Sequence, residues 1–396
     1  MTSGLNVDRP YAAVEIFGGN ATSEIRIARF RDAEAARKNV ENTLKPEPAS
    51  APQTRARAER ALHADPLSID AFQQLGRAAE QAGDAGLAIR EFAEAYRRSF
   101  RDVDAAGRLL QNAYDSGDFD KATLYSDALL REMPSLTQAL TPLLAKIVET
   151  PTARKSFAEA LARAPVWRSR FLAQYGASGG NQEAFEDLIG LLKATSRPMT
   201  SAEIGPYLNN LLSQGMVDEA LTIWLAFQPE ANADAMPLLV NGDFKAPVND
   251  LPFNWSATNS DNARVSIVDA LTGARGKAVE IEFLNRRGVF ANVSQVLALT
   301  PGKYRLSGKL RTDEFRNPRG VYWKIYCGVR EGNAIAESER MRGEPGGWRP
   351  FSVSFDVPAS NCAAQLLRLE LAARIPQEQV ASGTVWFSEL AIDRLH

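Results

Sequence analysis

Histidine and cysteine are nearly absent. Only His63 and His396 are present, so histidine-ligated zinc and Ser-His or Cys-His nucleophilic catalysis are poorly supported. The two cysteines, Cys327 and Cys362, both fall near the C-terminal end. They either form one disulfide, which implies an oxidising compartment, or remain two buried thiols of a cytosolic protein. No run approaches the roughly 18 apolar residues of a membrane span. The start shows no basic segment followed by an apolar one, so neither a signal peptide nor a membrane segment is expected. A net charge of -2 denies the chain the strongly basic face that nucleic acid requires.

What is present describes an ordinary globular chain. At 396 residues, with 45% hydrophobic and 24% charged residues, it has room for two or three domains. Residues Met1 to Arg29 are ambiguous between strand and helix. Arg31 to Leu44 reads as a charged, alanine-rich helix. Lys45 to Gln53, KPEPASAPQ, reads as a linker. Residues 1–53 are therefore expected to be an N-terminal segment and linker.

From Thr54 the chain becomes periodic. Ala71, Ala79, Gly83, Asp84 and Ala88 recur 34 residues later as Ala105, Ala113, Gly117, Asp118 and Ala122, and Pro66 recurs two periods on as Pro134. Small residues let paired helices approach, Gly-Asp makes a tight turn, and proline tolerates only a helix start. After Pro134 the period fades, but apolar residues at i, i+3, i+4 and i+7 continue. The spacing predicts a right-handed α-solenoid with drifted repeats over residues 54–236, with its last helix ending near Gln228. This stretch resembles the tetratricopeptide repeat family, with Leu75, Gly83, Ala88 and Phe92 near consensus positions and the first-helix aromatic missing. Trp167 is a ligand-stacking candidate, weighed against a wedge between repeats. Trp224 is expected in the core.

Near Leu238 the periodicity switches to two. LLVNGDFKAPVNDLPFNWS, residues 238–256, reads as an entry turn at Asn241-Gly242-Asp243 with Phe244 and Trp255 entering a core. Eight strand candidates follow: 263–268, 277–284, 289–299, 302–311, 321–329, 348–357, 365–371 and 384–392. Their spacing predicts an antiparallel β-sandwich or jelly roll over residues 237–396. The fold class is thus multidomain, an α-solenoid followed by an all-β sandwich.

Parity sorts the faces of each strand. Tyr322, Lys324 and Tyr326 share an outer face, and Arg305 points outward from its own strand. Two tyrosines about a lysine suit a sugar: rings stack on pyranose C–H faces while charged groups hydrogen-bond the hydroxyls. The alternative is a solvated sheet face or a surface that docks on the helices. Glu280 and Glu282 form a carboxylate pair on one strand face. Hydrolysis needs carboxylates across a cleft, so they read as solvated and no catalytic residue is assigned.

LVNGDF, NWS, PGKYRLSGKLR, GGWRPFSVSFDVP and VWFSELAID together resemble the carbohydrate-binding-module-like (galactose-binding-like) jelly-roll superfamily. Many of its members hold a structural calcium through an Asp on the last strand. Here that strand reads Phe387-Ser388-Glu389, so neither a metal site nor a cofactor is expected. The pieces ALHADPLSIDAFQQLG, APVWRSRFL and LPFNWS resemble bacterial proteins that join degenerate tetratricopeptide repeats to such a module. That resemblance implies a non-catalytic adaptor: a protein partner on the helices, a glycan on the sandwich, and work in exopolysaccharide assembly or export in the periplasm. The alternatives are a pure protein-interaction scaffold capped by the sandwich, and a cytoplasmic location.

Overall fold

The computed structural model describes residues 50–227, 237–343 and 346–395. The expectations for Met1–Arg29 and for the helix at 31–44 lie outside the described residues. The chain divides into two compact units, Met1–Tyr175 with Gly180–Met199, and Gly176–Gly179 with Thr200–His396.

The first unit is built of paired helices. They are α1 (Ala51–Ala64), α2 (Ile69–Gln81), α3 (Ala85–Arg98), α4 (Val103–Asp115), α5 (Phe119–Glu132), α6 (Thr137–Glu149), α7 (Pro151–Ala162), α8 (Arg168–Ser178) and α9 (Gln182–Lys193). The start of α1 falls inside the stretch read as a linker. Pro52 stands in its first turn, where the missing N–H has no helical partner to lose.

The 34-residue period is a period of caps as well as of packing. Ser68 and Asp84, then Asp102 and Asp118, each accept a first-turn amide: those of Ala71, Leu87, Ala105 and Lys121. Such caps contribute about 1 kcal/mol each. Between the helices of each pair, Gly83 and Gly117 adopt φ of 79° and 73°, a region costly for residues with a Cβ. Ala79 and Ala113 are buried at the pair contacts. Gly76 has the same cause, since a Cβ there would lie 2.9 Å from the Phe92 ring.

The second unit opens with α10 (Ser201–Ser213) and α11 (Val217–Ala226) and continues as a sandwich of ten strands. These are β1 (Ser256–Ala257), β2 (Ala263–Asp269), β3 (Lys277–Arg287), β4 (Val293–Leu297), β5 (Gly302–Arg316), β6 (Val321–Cys327), β7 (Ala334–Glu337), β8 (Arg349–Val357), β9 (Gln365–Leu371) and β10 (Val380–Leu395). Two antiparallel five-stranded sheets result, in the orders β1-β4-β9-β6-β7 and β2-β3-β10-β5-β8. The inward faces follow the parity of the sequence. Val279, Ile281, Phe283, Leu306, Trp323 and Leu369 all lie in one buried cluster.

The entry stretch clamps the sandwich shut. Asn241 takes φ 52°, and its backbone carbonyl accepts the Trp255 indole N–H at 3.0 Å. The Gly242 carbonyl accepts the Leu390 amide, and a Cβ on Gly242 would lie 1.9 Å from the Leu390 carbonyl oxygen. Gln295, inward-facing on β4, pairs through its amide with both the N–H and the C=O of Val240. Phe244 and Trp255 are fully buried as expected, with ring centroids 5.2 Å apart.

Candidate functional site

The outer face of the first sheet carries a polar cluster at its centre, where β6 pairs with β9. The register sets Tyr322 opposite Glu370, Lys324 opposite Arg368 and Tyr326 opposite Leu366. The Glu370 carboxylate accepts the Tyr322 hydroxyl at 2.8 Å, the Tyr326 hydroxyl at 2.6 Å and Arg368 Nε at 2.8 Å. Arg368 extends the cluster to Glu331 at 2.9 Å. Lys324 pairs with Glu337 on β7 at 3.1 Å, and Arg340 reaches the same carboxylate at 2.9 Å.

Cations cover the tyrosine rings. The Arg340 guanidinium lies 3.5 Å from the Tyr322 ring centroid, and Lys324 and Arg368 each sit 5.0 Å from that of Tyr326. These are cation–π distances. The rings are accordingly enclosed, at 7% exposure for Tyr322 and 1% for Tyr326. The face is a layered one: aromatic rings beneath, then a lattice of three cations and three carboxylates.

The titrations follow from that lattice. Burial, then the Glu370 hydrogen bond, pushes the Tyr326 hydroxyl up to about 12. Tyr322 rises for the same two reasons. Burial opposes the charge of Glu370, but hydrogen bonds from Tyr326, Arg368 and Tyr322 outweigh it and hold the carboxyl below its ordinary value. Burial likewise opposes the charge on Lys324, and its bonds to Glu337 and Tyr326 prevail, raising it. The lattice therefore favours the charged forms of Glu370 and Lys324 and the neutral forms of the two tyrosines.

Arg305 does not belong to this cluster. It is exposed on β5, in the other sheet, where it pairs in register with Ser354 of β8. Strand parity gives a side chain its face but not its sheet, and the grouping of Arg305 with the two tyrosines does not hold. Glu370 and Arg368 point outward as parity predicts, yet their place beside the tyrosines depends on β6 and β9 being neighbours across 37 intervening residues. Glu331, Glu337 and Arg340 come from the β6–β7 loop, β7 and the segment after it, which carry no strong strand signal.

The remaining singled-out residues have structural partners. Glu280 accepts the Trp386 indole N–H at 2.8 Å and the Ser266 hydroxyl at 3.1 Å, while Glu282 faces Arg264 at 3.3 Å. Glu389 occupies a bulge of β10 at φ 51°, and its carboxylate accepts the Arg275 amide and the Lys309 ammonium, each at 2.9 Å. Trp167 is buried among Phe157 and Phe171, and its indole N–H donates to Asp127 at 3.0 Å. It is the wedge, not a ligand platform. Trp224 is buried against Phe253. Cys327, the residue after Tyr326, forms a disulfide with Cys362. No helix among the described residues is long and apolar enough to cross a membrane.

No protein-family model matches the chain. No curated protein matches it either. Among solved structures the C-terminal sandwich resembles carbohydrate-binding modules. A CBM4 structure is 16% identical, covers 40% of this chain and 99% of its own, and has a TM-score of 0.29. TmCBM61, solved in complex with β-1,4-galactotriose, is 17% identical over 41% of this chain and 100% of its own, with a TM-score of 0.28. The CBM22-2 xylan-binding domain of Xyn10C from Paenibacillus barcinonensis is 9% identical over 36% and 91%, with a TM-score of 0.26.

Proposed function

We propose that the protein is a non-catalytic adaptor whose sandwich binds a polysaccharide on the outer face of the sheet β1-β4-β9-β6-β7. The observation that carries this reading is the Glu370 carboxylate, held by two tyrosine hydroxyls and Arg368 at the centre of a sheet face. A buried ionic lattice adds little net stability over an apolar one, which supports a role in recognition. Its carboxylates and cations present acceptors and donors in a rigid plane, the pattern that sugar hydroxyls require. Arg340, 39% exposed as a side chain, is the outermost layer. It either hydrogen-bonds the sugar in place or swings aside to uncover the Tyr322 ring.

The helical region, on this reading, is a right-handed solenoid of drifted tetratricopeptide-like repeats that holds a protein partner. The 34-residue recurrence of caps and turn glycines supports it. The disulfide favours an oxidising compartment, and the sequence resemblance carried by ALHADPLSIDAFQQLG, APVWRSRFL and LPFNWS favours envelope polysaccharide assembly or export. The burial of both tyrosines favours a second reading, in which the lattice is a structural filling and the chain is a protein scaffold alone.

Affinity electrophoresis of the full chain through gels containing soluble polysaccharides separates the two. Retardation by at least one polysaccharide, reduced in Glu370→Gln and altered in Arg340→Ala, is expected. Equal mobility of wild type in every gel would leave the scaffold reading.

A further inference from the structure

A second surface, on the first unit, points to a partner of another kind. Consecutive helices there are antiparallel and joined by short connections, so the connections alternate between two edges of the array. One edge carries the loops α1–α2, α3–α4, α5–α6, α7–α8 and the segment after α9. Side-chain contacts link its loops to neighbouring loops and helices. Gln73 donates to Asp102 and Arg101 pairs with Glu132. Trp167 then bonds Asp127, and Arg168 donates to the carbonyls of Arg197 and Pro198.

On this edge Leu67, Phe100, Met133 and Val166 recur every 33 residues. Leu67 and Val166 are each 72% exposed and Phe100 is 68% exposed. Met133 is half-buried. A single exposed apolar side chain needs no explanation, but these recur at one spacing in successive loops. The same loops and the helix turns beside them carry exposed cations, Arg97, Arg101, Arg131, Arg163, Arg170 and Arg197, along with the exposed acids Asp65, Asp70 and Glu132. The first three cations have acidic neighbours. The opposite edge carries Glu80, Asp84, Asp115, Asp118 and Glu183 about its turns, with Lys121 paired to Asp118.

We propose that this edge docks the protein peripherally on an anionic membrane surface. Leu67, Phe100 and Val166 enter the headgroup layer, the arginines pair with lipid phosphates, and the opposite edge faces water. The two signals together suit an interfacial anchor, and neither depends on the sandwich binding a glycan.

Flotation of the full chain with vesicles tests this. One set is phosphatidylcholine alone, the other phosphatidylcholine mixed with phosphatidylglycerol. Flotation with the mixed vesicles only, weakened by salt, is expected. The triple variant Leu67→Ser, Phe100→Ser, Val166→Ser should lower vesicle affinity by at least about tenfold. So should Arg163→Glu, Arg170→Glu, Arg197→Glu, a set that leaves the apolar residues in place. Failure to float with anionic vesicles, or flotation unchanged in both variants, overturns the proposal. So does light scattering that shows a dimer which the apolar variant dissolves, because self-association then accounts for the exposed residues.

Discussion

The Tyr326 hydroxyl donates to Glu370 Oε1 across the β6–β9 pair at 2.6 Å, and the Tyr322 hydroxyl takes the other oxygen at 2.8 Å. One carboxylate thus fixes two rings and, through Arg368, a guanidinium. Removing that carboxylate leaves three donors facing each other without an anion. Glu370→Ala is expected to destabilise the sandwich by about 2–3 kcal/mol, and Glu370→Gln by less. Urea unfolding midpoints at unchanged slope measure this.

The same carboxylate sets an acid response. Its folded pKa lies below the unfolded one, so its contribution is present above the unfolded value near 4.5 and is lost as pH falls through the folded value. Wild type should lose stability below about pH 4.5 more steeply than Glu370→Gln. Thermal melts of both proteins between neutral pH and acid give the difference directly.

At high pH the sign reverses. Tyr326, ordinarily near 10, is pushed up to about 12, so its neutral form favours the fold below the unfolded pKa and that advantage is lost as pH rises through the folded one. Phenolate absorbance of wild type minus Tyr326→Phe should show one tyrosine ionising late, near pH 12.

The disulfide closes a loop between residues 35 apart in sequence. Reduction, or Cys362→Ala, is expected to lower stability by about 4 kcal/mol in the chain-entropy picture. Unfolding with and without a reductant measures it, and equal midpoints would show that the crosslink is dispensable.

Gly242→Ala should be among the most damaging single changes, since its Cβ would collide with the Leu390 carbonyl 1.9 Å away. A loss above about 3 kcal/mol is expected. Gly83→Ala, with open space around it but φ at 79°, should cost only about 1 kcal/mol. The contrast separates steric collision from backbone strain.

Much of the fold was legible because it rests on local signals. The turn pairs Gly83-Asp84 and Gly117-Asp118 carry both the glycine that the turn conformation needs and the cap that starts the next helix. Strand alternation in 277–284 and 302–311 gives the inward faces directly. β1 and β7, of two and four residues, are too short for alternation to register. The site was half legible. Tyr322, Lys324 and Tyr326 lie within five residues and share a face by parity alone. Glu370, Arg368 and Glu337 join them through strand order, and Arg305 falls outside the group for the same reason. Strand order is set by long-range pairing, which no local pattern encodes. The burial of the tyrosines was equally hidden, since Arg340 covers Tyr322 from a segment outside any predicted strand.

Amide hydrogen exchange of the full chain, with and without a saturating polysaccharide from the affinity screen, tests the central claim most directly. The account predicts added protection concentrated in Tyr322–Tyr326 and Leu366–Glu370, with β2, β3 and β5 unchanged. Protection confined to the β2-β3-β10-β5-β8 sheet, or no change with any polysaccharide, would contradict it.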